Sequence, residues 1–138
     1  MPTLHATCVL LGEAGVLIRG PSGSGKSRLA RRLVSASTGF ARLVCDDRVR
    51  IEALNGRLVA RAVAAIAGTV EIRGLGLMST PFEAAAVVRL VVDSSPERAE
   101  RLPEEAEASV EIAEVTLPRI AGRLESLVEE VLWRVHCI

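Results

Sequence analysis

The sequence predicts an α/β domain. A mixed sheet carries an antiparallel hairpin ahead of a glycine loop that grips phosphate, and a C-terminal helix closes the core. Three observations predict this. The stretch "GPSGSGKS", Gly20 to Ser27, lies between a β-rich run and a run of helical apolar periodicity. Two β-rich runs precede it, "HATCVLL" and "VLIRG", joined by the turn "GEAG". Near the end, Leu124, Leu127, Val128, Val131, Leu132 and Val135 share one helical face. With 138 residues, the chain has the length of one domain with one core, residues 1–138.

Each element has its own signal. After the loop, Leu29, Leu33 and Val34 form an apolar stripe, with Arg28, Arg31 and Arg32 turned elsewhere. A helix of about three turns is expected, ending near Ser37 to Gly39. "ARLVCDD" is an apolar strand ending in two acids. "RVRIEAL" and "RLVARAV" flank Asn55-Gly56, the pair that a type I′ hairpin turn favours. "GTVEIRGLGLMS" is expected to be irregular around Gly74 and Gly76. "AVVRLVVD" is an unbroken apolar strand, buried on both faces. "SSPERAERL" carries a serine cap and a proline suited to a first helical turn, and predicts a short helix. "ASVEIAEVTL" predicts one further strand.

Composition excludes several functions. The formal net charge is zero, so no overall field draws the domain to nucleic acid or to an anionic membrane. The aromatics are Phe40, Phe82 and Trp133, with no tyrosine, which leaves little for base stacking. Cys8, Cys45 and Cys137 are scattered and lack metal-ligand spacing. They read as free thiols of a reducing compartment. No signal-peptide pattern opens the chain, and no apolar run approaches the roughly 18 residues of a membrane span. The expectation is a soluble cytoplasmic domain.

Gly20, Pro21, Ser22, Gly23, Ser24, Gly25, Lys26 and Ser27 fit G-x-x-x-x-G-K-[ST] at every fixed position. Glycines let backbone N–H groups turn inward to form a nest for phosphate oxygens. The helix that begins near Lys26 adds its positive end. Lys26 brings a mobile charge to the outer phosphates, and Ser27 offers a hydroxyl to Mg²⁺.

Asp46 and Asp47 end a strand twenty residues past Lys26, where ligand chemistry collects in α/β sheets. On an extended chain, two adjacent acids face opposite ways. One can then address a reacting hydroxyl while the other goes elsewhere. A solvated turn is the alternative. His5 starts the strand before the loop's own strand and reaches the phosphate end if the two pair; otherwise it is structural. Glu71, in "VEIRGLG", either helps to hold Mg²⁺ or pairs with Arg73.

Together these stretches resemble the catalytic domain of the HPr kinase/phosphorylase family, in a short form without an N-terminal domain. His5 stands fifteen positions before Gly20, with "GEAGVLIRG" between. "GPSGSGKS", "LVCDDRV" and the signature-like "VEIRGLGLM" follow, and "ERLP" around Arg101 and "LPRIAGR" match less closely. The resemblance implies a fold similar to phosphoenolpyruvate carboxykinase and a hexameric homo-oligomer. It implies an ATP- and Mg²⁺-dependent kinase that acts on the regulatory serine of an HPr-like phosphocarrier of a phosphotransferase system. It also implies roles: Asp46 as the base, His5 and Lys26 on the reacting phosphates, Ser27 and Glu71 on Mg²⁺, and Arg101 as positive charge for the transferring group.

The chain departs from the family in four places. Pro21 and Arg28 replace an Asp and a Glu, and Arg28 reverses a charge beside the metal site. Ile120 and Leu124 replace an arginine and an asparagine in the segment tied to dephosphorylation, so the resemblance carries the kinase activity and not the phosphorylase activity. A small-molecule kinase and a nucleotide-binding sensor or docking module with little turnover are the alternative functions.

Overall fold

The computed structural model describes residues 2–95 and 108–138. The strands are β1 (Thr3–Leu4), β2 (Ala6–Leu11), β3 (Ala14–Arg19), β4 (Ala41–Cys45), β5 (Val49–Leu54), β6 (Arg57–Arg61), β7 (Thr69–Ile72), β8 (Gly76–Ser79), β9 (Ala85–Ser94), β10 (Ser109–Ile112) and β11 (Val115–Gly122). The helices are α1 (Lys26–Ala36) and α2 (Val128–His136). The main sheet runs β1-β5-β6-β9-β3-β2-β4, and β11 with β10 adds to β9.

The apolar run read as a doubly buried strand is β9, the hub of the sheet. It lies parallel to β3 over Val88 to Asp93, antiparallel to β6 over Ala85 to Val88, and parallel to β11 over Val91 to Ser94. The ends of β3, β9 and β11 therefore converge just where the glycine loop begins. Arg19 and Asp93 are register partners there, and Arg19 grips Asp93 with two hydrogen bonds of 2.7 and 2.8 Å. Arg119, two residues before Asp93's partner Ala121 on β11, adds a bond of 2.5 Å. Burial pushes the Asp93 carboxyl up, but the hydrogen bonds and charges of Arg19 and Arg119 outweigh it and hold the group below the usual carboxylate range.

The hairpin ahead of the loop is present as expected: β2 and β3 pair antiparallel from Ala6↔Arg19 to Leu11↔Ala14. Along β3, Val16 and Ile18 enter one apolar cluster and Leu17 the other, so this strand is core on both faces. The first cluster is covered by Leu29 and Leu33 of α1, by Val131 of α2, and by Leu124 of the short 3₁₀ turn Leu124–Ser126 that precedes α2. Burying a leucine this way contributes about 2 kcal/mol, and Leu33→Ala, which also leaves a cavity, would cost about 3 kcal/mol. The helix stops at Ser37, where the backbone turns extended (ψ 136°) at the start of a Ser-Thr-Gly run.

The Asn55-Gly56 turn also matches its sequence signal. Both residues have positive φ, 52° and 78°, and join β5 to β6. Three expectations need correction or limits. The single strand expected over "ASVEIAEVTL" is a hairpin, because Ala113 and Glu114 take left-handed backbone (φ 50° and 67°) and return the chain as β11. The stretch around Gly74 and Gly76 is a regular two-stranded hairpin, β7–β8, separate from the main sheet. The helix expected over "SSPERAERL", and Arg101 with it, lies largely outside the described residues.

Candidate active site

The glycine loop crosses from β3 to α1. Gly23 and Gly25 take left-handed φ of 82° and 100°, and Gly25 caps the helix. A Cβ on Gly20 would stand 2.6 Å from Ser24 Oγ and 2.8 Å from Ser94 Cβ, so a glycine is required where the loop passes the end of β9. Lys26 is buried, and its ammonium donates to the loop's own carbonyls, Gly20 O at 2.8 Å and Pro21 O at 3.2 Å. Pro21, Ser22 and Gly23 form the exposed rim. The Ser24 hydroxyl is buried, with no hydrogen-bond partner among the described residues. An orphaned donor beside a curled run of amides and a lysine fits an incoming anion.

The acid pair meets this loop through the β2–β4 pairing. Cys8 stands opposite Cys45, and the next pair is Val9↔Leu43, so Val44 is an extra residue and the strand is bulged just before the acids. Asp46 is buried. It accepts from the Ser27 hydroxyl (2.6 Å to Oδ1, 2.8 Å to Oδ2), from the Thr7 hydroxyl (2.9 Å) and from the Glu71 N–H (3.3 Å). Asp47 takes left-handed backbone, φ 65°, and its two-thirds-exposed carboxylate meets His5 Nε2 at 2.6 Å.

Of the residues singled out in the sequence, Ser27 and Asp46 are therefore bonded directly and Glu71 joins them through its backbone, while Lys26, next to Ser27 in the chain, turns its ammonium to the loop carbonyls. His5 sits beside it, on Asp47. The Glu71 side chain is exposed and lines, with Lys26, Ser27, Arg28 and Arg73, an open cavity of about 700 Å³. Two partners went unnoticed in the sequence, Thr7 and the pairing role of Asp47. Thr7 stands two residues past His5 in "HATC", which was a legible hint that both could serve one site.

The hydroxyl of Ser27 and the carboxylates of Asp46 and Glu71 are hard oxygen donors. Among the described residues, no group of three or more His, Cys, Asp or Glu side chains gathers as a metal cage. Magnesium suits so sparse a set, because it keeps waters and takes other ligands from substrate phosphates.

The family model for the HPr Serine kinase C-terminal domain matches residues 1–135. The chain belongs to that family. Among similar proteins, an HPr kinase/phosphorylase from Geobacillus sp. (strain WCH70) is 37% identical over 144 aligned positions, which cover 93% of this chain and 45% of that protein. Another, from Clostridium beijerinckii, is 38% identical over 88 residues, 62% of this chain and 28% of that protein. The chain thus spans less than half the length of these curated relatives. The solved structure of the Hpr(Ser) kinase/phosphatase from Coxiella burnetii superposes with a TM-score of 0.80 at 25% identity, over 99% of this chain and 96% of that one. The α/β fold with its mixed, curled sheet is thus that of a known family member. Among the described residues, no helix is long and apolar enough to cross a membrane.

Proposed function

We propose that this domain is a cytoplasmic Mg²⁺- and ATP-dependent protein serine kinase. Its substrate is the regulatory serine of an HPr-like phosphocarrier protein of a phosphotransferase system. The observation that carries the reading is the contact between Ser27 and Asp46, which ties the phosphate loop directly to the acid-bearing strand.

In this reading the loop amides and Lys26 hold the triphosphate, and His5 orients its outer end. Ser27 and Glu71 hold magnesium, which when bound offsets phosphate charge. Asp46 accepts the proton of the substrate hydroxyl as that oxygen bonds to the γ-phosphorus. The bond from the γ-phosphorus to the bridging oxygen breaks, and the nucleoside diphosphate leaves. Arg101 supplies positive charge to the transferring group. The domain acts as a homo-oligomer, hexameric as the resemblance implies.

Phosphorylase activity is not part of the proposal. At two positions of the segment that the resemblance ties to it, this chain has Ile120, packed against the core, and Leu124, fully buried.

A second reading gives the proton to Asp47. It is favoured by exposure: the Asp46 oxygens already face three donors, while Asp47 is open and paired with His5.

The test is incubation of the protein with labelled ATP, Mg²⁺ and an HPr-like protein, followed by phosphoserine analysis. Label on serine, lost in Lys26→Ala, is the expected result. Nucleotide binding without transfer would instead mark a sensor, and label on a small molecule a different kinase. If Asp47→Asn abolishes transfer and Asp46→Asn does not, the second reading replaces the first.

A further inference from the structure

Thr7 lies on β2, outside the glycine loop and outside the acid-bearing strand, yet it is completely buried against both acids. Its hydroxyl accepts the N–H of Asp47 at 3.1 Å and donates to Asp46 Oδ1 at 2.9 Å. A hydroxyl has one proton to give. With the Asp47 amide filling an acceptor position, that proton goes to Asp46, so the direction of both bonds is fixed.

The position of this hydroxyl matters because the backbone is irregular here. The β2–β4 ladder is bulged at Val44 and ends at Cys45, so ladder bonds do not hold the two acids. Asp47 adopts left-handed backbone, a conformation that Asp visits more readily than most residues, and the Arg48 N–H closes a tight turn across it on Asp46 O at 2.8 Å. The Thr7 bond to the Asp47 N–H ties that turn to β2. The same turn sends the Asp46 side chain to Ser27 and the Asp47 side chain to His5. Apart from the Ser27 hydroxyl, which would also be the group to hold a metal, Asp46 is kept from rotating by the Thr7 hydroxyl at 2.9 Å and by the longer bond from the Glu71 N–H at 3.3 Å.

We infer that Thr7 is a positioning residue for phosphoryl transfer: one buried hydroxyl sets the orientation of both aspartates relative to the phosphate loop. The inference rests on the kinase reading for its effect on rate, but not for the geometry it describes.

The experiment compares Thr7→Val, which removes the hydroxyl at similar size, with Thr7→Ser, which keeps it. The expected result is a kcat about 10- to 100-fold lower in Thr7→Val, with nucleotide affinity and KM for ATP within about twofold of wild type. Thr7→Ser retains most of the rate. In parallel, the Asp47 amide exchanges with solvent about tenfold faster in Thr7→Val, as expected for loss of one hydrogen bond, and at close to the wild-type rate in Thr7→Ser.

Wild-type kcat in Thr7→Val, or equal loss in both variants, overturns the inference. So does a Thr7→Val protein that no longer binds nucleotide, since Thr7 would then be holding the fold together. If the wild-type chain binds ATP but transfers nothing, the kinase reading fails, and the Asp47 exchange rates alone decide whether Thr7 holds the pair.

Discussion

Asp46→Asn is the substitution that most directly separates chemistry from architecture at this site. The carboxylate takes Thr7 and Ser27 on Oδ1, and Ser27 and the Glu71 N–H on Oδ2. An asparagine has one oxygen and one NH₂. If the NH₂ takes the Oδ2 position, it confronts the Glu71 N–H, donor against donor. If it takes the Oδ1 position, the Thr7 proton loses its acceptor. Either way one buried donor is stranded, while the Ser27 hydroxyl can reverse and accept. A stranded donor costs about 1–3 kcal/mol. The Glu71 contact is long at 3.3 Å, so its loss sits at the low end, about 1 kcal/mol. In a domain of this size that lowers Tm by about 4 °C.

The kinetic effect is larger. Removing a general base costs about 10²- to 10⁴-fold in rate, or roughly 3–5 kcal/mol of barrier. Thermal melting, nucleotide titration and single-turnover transfer to the phosphocarrier, run on the same preparation, give all three quantities. A small drop in Tm, unchanged nucleotide affinity and a collapse of transfer are expected. Transfer within threefold of wild type would refute Asp46 as the base. A parallel loss of affinity would show that the substitution had damaged the loop.

Burial pushes the Cys8 thiol up to about 12, and the neighbouring Cys45 adds to the effect. A thiol reagent at neutral pH should therefore modify Cys137, the exposed cysteine, in the native protein and all three only after denaturation; a native count of three would contradict the packing of β2 on β4. The depressed Asp93 carboxyl contributes stability that is complete above its unfolded value near 3.8 and is lost as pH falls through its lower folded value. Urea midpoints from pH 7 down to pH 2 should fall steeply below about pH 4 in wild type and less steeply in Asp93→Asn. At pH 7 that variant should be destabilised by about 3 kcal/mol, because Arg19 and Arg119 lose their shared partner; an unchanged acid limb would refute the assignment. A Cβ on Gly15 would stand 2.7 Å from Val87 O and 3.0 Å from Val87 C, atoms of backbone that cannot swing aside. Gly15→Ala should cost about 1–3 kcal/mol in chemical denaturation; a neutral result would mean that the β3–β9 irregularity tolerates a side chain.

Much of this fold was legible where a local rule and the tertiary outcome agree. Asn55-Gly56 supplied both residues that a I′ turn needs at positive φ, and the structure uses them so. The apolar run of β9 announced burial on both faces, and Val88 and Val91 enter one apolar cluster while Leu90 and Val92 enter the other. The rule failed at Ala113-Glu114, which adopts the same left-handed pair with neither Asn nor Gly. There, pairing of β10 with β11 over Ser109↔Pro118 to Ile112↔Val115 outweighs the backbone cost, and no local residue choice reports it. Glu71 was singled out for its carboxylate, but the atom that reaches Asp46 is its backbone nitrogen, which any residue except proline would supply.

The acid pair shows why the chemistry is harder to read than the loop. A phosphate loop is written in residue types, since glycine and lysine are needed for what they are. The division of labour between Asp46 and Asp47 is written in backbone dihedrals. Alternation along a strand sends adjacent side chains to opposite faces, which predicts that one acid leaves the site. The strand has already ended at Cys45, and Asp47 sits at φ 65°. Alternation does not apply past that point. One acid is delivered to Ser27 at the foot of the helix and the other to His5 at the start of β2, and both stay at the same end of the sheet. The tight turn that breaks the alternation, closed by the Arg48 N–H on Asp46 O, is tied to a threonine on a neighbouring strand, some forty residues away in sequence. Both aspartates bear on one threonine hydroxyl, Asp46 through its side chain and Asp47 through its backbone. The two aspartates therefore have to be tested one at a time, and each against the residue that holds them both.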